Sequence, residues 1–102
     1  MIYEMRIYTL YHGKVPEMMK LFEEALPMRG KHSKLTGYWY TEIGELNRLV
    51  NMWEYKDLAH RSQVRQAVGK DLEFQKAVAK MNSLVMKGEN MILISLQRGG
   101  DR

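Results

Sequence analysis

Thr36-Gly37-Tyr38-Trp39-Tyr40-Thr41-Glu42-Ile43-Gly44-Glu45-Leu46-Asn47-Arg48-Leu49-Val50-Asn51-Met52-Trp53-Glu54-Tyr55 holds two runs rich in aromatic and β-branched residues, parted by a short polar stretch. The runs predict strands over Thr36–Ile43 and Arg48–Tyr55, joined as a hairpin through Gly44–Asn47. A two-residue loop at Glu45-Leu46 would set Glu42 opposite Leu49, Tyr40 opposite Asn51 and Tyr38 opposite Trp53, all on one face. The other face would carry Trp39, Thr41, Ile43, Val50 and Met52, which reads as core.

Working outward, residues 2–10 read as a strand rich in Tyr, Ile and Thr, closed by Gly13. Pro16 suits a first helical turn. Val15, Met18, Met19, Phe22, Ala25 and Leu26 then fall at helical spacing. Pro27 is expected to kink or end that helix, with Gly30 reinforcing the stop. Beyond the hairpin, Asp57 caps a helix reaching about Val68, and Gly69 interrupts it. Asp71 caps the next, striped by Phe74, Val78, Met81 and Val85 and ended by Gly88. Met91–Leu96 reads as the last strand. The order is the ferredoxin-like β-α-β-β-α-β pattern: an α+β fold with a four-stranded antiparallel sheet and helices on one face. It forms one domain over 1–97, followed by a loose tail at 98–102.

A length of 102 residues fits one domain. With no cysteine, disulfides, thiolate metal sites and thiol nucleophiles are excluded. Hydrophobic residues at 45% and charged residues at 27% make an ordinary globular balance. The net charge of +4 is spread along the chain. Its one cluster, Arg29, Lys31, His32 and Lys34, reads as a solvated helix end. Apolar stretches are too short to span a membrane, and Met1-Ile2-Tyr3-Glu4 lacks a signal pattern, so no membrane association and a cytoplasmic location are expected. His12, His32 and His60 are dispersed, which predicts no metal site. No phosphate-binding glycine loop or catalytic triad is present, and no cofactor is expected.

Alternation divides the first strand into Tyr3, Met5, Ile7, Thr9 and Glu4, Arg6, Tyr8. The uncharged set is expected to face the helices, joined by Ile92, Ile94 and Leu96 of the last strand. The side away from the helices would then carry Glu4, Arg6, Tyr8, Tyr38, Tyr40, Glu42, Asn51, Trp53, Leu93 and Ser95. So aromatic a face predicts a homodimer, two sheets stacked around a cavity, with Glu4 and Arg6 satisfying each other inside. Arg61 and Arg65 stand four apart and point toward the apolar side of their helix. They can pair with Glu42, Glu54 or Asp57, or clamp a carboxylate or phosphate.

In such a cavity Tyr8, Tyr38 and Tyr40 supply hydroxyls, Trp53 a wall and a donor, and Asn51 a donor and an acceptor. Arg6 would hold an anionic ligand, and Glu4 or Glu42 would act as a general base if burial raised its pKa. The set suits proton abstraction from a polyphenol or an oxo acid. Its plainer reading is a dimer interface, which favours Tyr, Trp and Arg in any case. The flanking basic residues and strand motif of single-stranded RNA readers are missing, so no nucleic-acid partner is expected.

Gly37 through Arg48 and Trp53-Glu54-Tyr55-Lys56-Asp57-Leu58-Ala59-His60-Arg61 to Arg65, with Tyr3-Glu4-Met5-Arg6-Ile7-Tyr8-Thr9-Leu10 and Gly13-Lys14, closely resemble the NIPSNAP family. The family often carries His at the position of Asn51. The resemblance covers roughly residues 2–97 and implies a dimeric α+β barrel, with little said about chemistry. Barrels of this kind include small monooxygenases, haem-degrading enzymes, isomerases and decarboxylases. The combined expectation is a dimeric barrel binding a small aromatic or acidic metabolite in a sheet-face cavity, with cofactor-free monooxygenase- or isomerase-like chemistry. The alternative is a non-catalytic homodimeric interaction protein whose aromatic sheet face only dimerises.

Overall fold

The computed structural model describes residues 1–97; the expected loose tail, 98–102, lies outside the described residues. The elements run β1 (Ile2–Leu10), α1 (Val15–Arg29), β2 (Lys34–Tyr40), β3 (Arg48–Tyr55), α2 (Leu58–Lys70), α3 (Leu72–Asn82) and β4 (Val85–Leu93). The four strands form one antiparallel sheet in the order β2-β3-β1-β4. This is the expected ferredoxin-like α+β fold, with the three helices packed against one face.

Local signals set most element ends. Gly13 turns the chain out of β1 at φ 77°, a left-handed conformation that costs glycine nothing. The Asp57 carboxylate accepts the His60 backbone N–H at 2.8 Å and Asp71 accepts that of Phe74 at 3.1 Å, so both caps form. Several expectations fail, among them that Gly69 interrupts α2, which runs through it to Lys70. The α1 helix runs through Pro27 to Arg29. Pro27 is exposed, so water can meet the carbonyl it leaves unpaired, and buried Arg29 anchors the next turn inward. The α3 helix stops at Asn82, and β4 begins at Val85 rather than Met91. There Val85 pairs with Leu10 and Gly88 with Tyr8, so the β1 ladder claims residues whose spacing also suits a helix.

The hairpin loop spans residues 41–47, with Asn47 left-handed at φ 62°. The register is therefore two residues off the expected one: Tyr40 faces Leu49 and Tyr38 faces Asn51. An even shift keeps those residues on one face. An irregularity between Leu35 and Gly37 then brings Leu35 opposite Trp53.

For β1, β2 and β3 the two faces are the reverse of those expected; in β4 Ile92, opposite Glu4, faces the helix side and Leu93, opposite Tyr3, the uncovered side, as expected. Glu4, Arg6, Tyr8 and Leu10 of β1, with Leu49, Asn51, Trp53 and Tyr55 of β3, turn toward the helices. They meet Met18, Phe22 and Ala25 of α1, Val64 and Val68 of α2, and Phe74 of α3 in the core. The uncovered face carries Tyr3, Met5 and Ile7 alongside Val50, Met52, Met91 and Leu93. Glu4 and Arg6 lie inward because partners await them there, while Glu54 and Glu89 share the uncovered face with Tyr3 and Ile7.

Leu49, 1% exposed, tests this assignment. Leu49→Ala should lower unfolding free energy by about 2–5 kcal/mol in urea titration, the cost of a cavity in a packed core. A loss well under 1 kcal/mol, roughly the cost of a surface change, would place Leu49 on the open side.

Candidate functional site

Glu4 is fully buried beneath the helices. Arg61 of α2 grips its carboxylate along one edge of the guanidinium, Nε to Oε1 at 3.1 Å and Nη2 to Oε2 at 3.0 Å. Oε2 also accepts from Arg6 Nη1 at 3.0 Å and from Asn90 Nδ2 at 2.8 Å. Tyr55 Oη donates to Oε1 at 3.4 Å. Burial on its own would raise the Glu4 carboxyl. The hydrogen bonds from Arg61 and Asn90 and the charges of Arg6 and Arg61 outweigh it and hold the group at about 2. Glu4 is thus a fixed anion and has no capacity as a general base near neutrality.

A cavity of about 460 Å³ opens above this cluster, between the sheet and the helices. Arg6 and Tyr8 enter it from β1, Asn51 and Trp53 from β3, Arg29 from α1 and Arg65 from α2. Phe22, Phe74, Val78, Met81 and Val85 supply apolar wall, and Gln75 and Asn82 complete its polar lining. Among the described residues no carboxylate and no imidazole lines it.

Arg29 is buried without a carboxylate partner. It donates to Ser33 Oγ at 2.8 Å and to Tyr55 Oη at 2.9 Å, and its Cζ lies 4.1 Å from the centre of the Trp53 ring. Burial pushes the guanidinium below its ordinary range; the Tyr55 hydroxyl opposes this, while the charges of Arg6 and Arg65 add to it. Arg6 spans the site, its Nε donating to Tyr8 Oη at 2.8 Å while Nη1 stays on Glu4. Trp53 Nε1 donates to Asn51 Oδ1 at 2.6 Å, which fixes the amide and leaves Asn51 Nδ2 buried with no acceptor.

Residues 3–97, nearly all of the described chain, match the NIPSNAP family. The chain belongs to the NIPSNAP family. Human NipSnap homolog 3A is 39% identical over 92 residues, covering 88% of this chain and 37% of that protein, so this chain spans little more than a third of that relative. An uncharacterized NIPSNAP domain protein from Burkholderia xenovorans superposes with a TM-score of 0.89 at 30% identity, over 93% of this chain and 94% of that one. SnoaB, a cofactor-independent oxygenase from Streptomyces nogalater, superposes with a TM-score of 0.69 at 12% identity, over 95% of this chain and 94% of its own. That last likeness is one of fold.

On this NIPSNAP domain the expected site residues separate. Arg6, Tyr8, Asn51, Trp53 and Arg65 come together around the cavity. Glu4 and Arg61 lie beneath it and pair with each other rather than with Glu42, Glu54 or Asp57. Tyr38 packs on Phe22 and donates to Glu23, outside the lining. Tyr40 and Glu42 bond each other at the exposed hairpin end, so neither reaches the site. Arg29, Tyr55 and Asn90 were not anticipated. Arg29 continues the buried series Met18, Phe22, Ala25 at helical spacing, a signal masked by its basic neighbours. Asn90 stands opposite Arg6 only once Val85–Leu93 is a strand. Among the described residues no cluster of three or more potential ligands could hold a metal ion, and no helix is long and apolar enough to cross a membrane.

Acid titration tests the Glu4 cluster. A carboxyl held at about 2 against an ordinary 4.5 contributes stability above pH 4.5 and loses it as pH falls toward 2. The difference is worth about 3 kcal/mol. Glu4→Gln should cost at least about that much at pH 7 and flatten the fall in stability below pH 4.5. An unchanged acid limb would show that Glu4 does not carry it.

Proposed function

We propose that this NIPSNAP domain binds a small organic anion with a flat apolar body in the cavity between sheet and helices. The observation that carries the reading is Arg29: a buried cation, facing a cavity, with hydroxyls and an indole ring around it but no carboxylate. Such a charge is costly to hold without a counter-ion, and a bound anion supplies one. The unpartnered Asn51 Nδ2 asks for an acceptor on the same ligand. Phe22, Phe74, Val78 and Met81 suit an aromatic or alicyclic body, and about 460 Å³ is within the range of small-molecule sites. SnoaB carries out cofactor-independent oxygenation on the same architecture, and the reading extends to cofactor-free chemistry on the bound anion, with the analogy resting on fold.

The ligand class is checked by thermal shift and calorimetry with 1-naphthoate against neutral 1-naphthamide. The acid should raise Tm in proportion to its concentration and the amide should not. Arg29→Met should weaken the acid by about tenfold or more, the worth of a hydrogen-bonded charge. Equal binding of acid and amide would sink the proposal.

The uncovered face favours a second part of the reading, self-association. Met5 lies between Met52 and Met91, with Tyr3, Ile7, Val50 and Leu93 around them and Trp39 53% exposed at the margin. An apolar centre of this kind, edged by Glu54 and Glu89, suits a second copy of the chain, sheet against sheet. Light scattering at micromolar concentration should return a dimer mass, and Met5→Glu, which sets a charge at the centre of the seam, should return a monomer that still binds the anion. A monomeric wild type would remove the dimer and leave the cavity proposal standing.

A further inference from the structure

The lining lacks something as informative as what it holds. Arg6 and Tyr8 enter from β1, Asn51 and Trp53 from β3, Arg29 from α1, Arg65 from α2, Gln75 and Asn82 from α3, and Val85 from β4. The charged groups on that roster are all cations. Glu4, the carboxylate bonded to Arg6, lies outside the lining with both oxygens occupied by Arg61, Arg6, Asn90 and Tyr55. Among the described residues no carboxylate or imidazole lines the cavity to receive a proton leaving a ligand there.

The arginines also differ in what they can offer. A carboxylate is best met by an open guanidinium fork taking both its oxygens. Arg29 divides its two terminal nitrogens between Ser33 and Tyr55. Arg6 commits Nε to Tyr8 and Nη1 to Glu4. What the two present to the cavity is positive charge with separate donors, an arrangement suited to charge held on a single oxygen. Arg65, with no ion-pair partner among the described residues, is exposed at the rim, where water screens it and its part is to draw anions in.

Building on the anion-site reading, we propose that the cavity takes a neutral phenol or enol and holds it as the oxyanion. The ligand O–H bond breaks heterolytically, the electron pair stays on the oxygen facing Arg6 and Arg29, and the proton passes to solvent through the open mouth. A second acceptor on the ligand, a carbonyl or nitro oxygen, takes the orphan Asn51 Nδ2. The substrate class is then a planar, weakly acidic hydroxyaryl or enolic ketone. The site's contribution is to make it an electron-rich anion at neutral pH without a catalytic base.

Three probes share a nitroaryl body and differ in head group: 4-nitrophenol, 4-nitrobenzoate and nitrobenzene. The bound phenol is titrated by its phenolate absorption in the presence of excess protein. Its pKa should fall by about one unit or more, a tenfold or greater preference for the anion. Nitrophenolate should bind more tightly than nitrobenzoate, with proton release on binding at pH values below the free pKa. Arg29→Met should abolish the shift. Gln75→Glu, which sets a carboxylate in the lining with little change of shape, should abolish it too and does not depend on a buried arginine for folding. An unchanged pKa, or tighter binding of nitrobenzoate, overturns this inference and leaves the anion site intact. Equal binding of nitrobenzene and both anions, or binding of none, overturns the anion site as well.

Discussion

Glu4 receives hydrogen bonds from residues on four elements: Arg6 beside it on β1, Tyr55 on β3, Asn90 on β4 and Arg61 on α2. A lone buried carboxylate would destabilise the domain by several kcal/mol. Surrounded in this way it becomes the point from which the rest is measured. The α2 helix depends on it most. Only Val64 and Val68 of that helix are buried, and two apolar anchors set its position on the sheet weakly. A planar fork closing on both carboxylate oxygens fixes rotation as well as distance.

The same cluster prepares the cavity. Because Glu4 and Tyr8 each hold one edge of Arg6, its guanidinium stays over the sheet instead of extending to water. Tyr55 carries the order a step further, giving its proton to Glu4 and its lone pair to Arg29. Arg6 and Arg61 share the Glu4 carboxylate, and Arg29 and Arg65 line the cavity with no carboxylate bonded to them among the described residues. Hydroxyls and the Trp53 ring solvate Arg29 without neutralising it. The excess positive charge is therefore built into the fold and is in place before any ligand arrives.

What could be read in the sequence was what short-range physics decides. Asp57 and Asp71 announce helix starts because capping is a contact between residues three apart. The aromatic runs announce strands, and the string from Gly37 to Arg65 identifies the family. The inversion of the sheet faces has a non-local cause. Charged Glu4 and Arg6 look like surface residues until Arg61, separated by 57 positions, is known to sit above them. The end of α3 is a similar case: Val85 fits the helical stripe as well as it fits the ladder opposite Leu10, and only pairing with β1 decides. Of the expected site, Arg6, Tyr8, Asn51 and Trp53 are neighbours because strand alternation groups them whichever face they occupy. Tyr40 and Glu42 drop out because the loop begins before Glu42.

Alternation along β1 also ties the two faces together. Arg6 reaches into the cavity, while Met5 and Ile7, its chain neighbours, point out through the uncovered side. The covered face sets Glu4, Arg6, Asn51 and Asn90 among Leu10, Leu49, Trp53 and Tyr55, while the methionines Met5, Met52 and Met91 fall on the opposite face. Anything that packs there stiffens the strand that carries Arg6 and Glu4, and with it the geometry of the cavity floor. The buried polar cluster at Glu4 and Arg6 and the methionines at the centre of the uncovered face are two consequences of one register. Shifting β1 by a single residue would exchange them and unmake both.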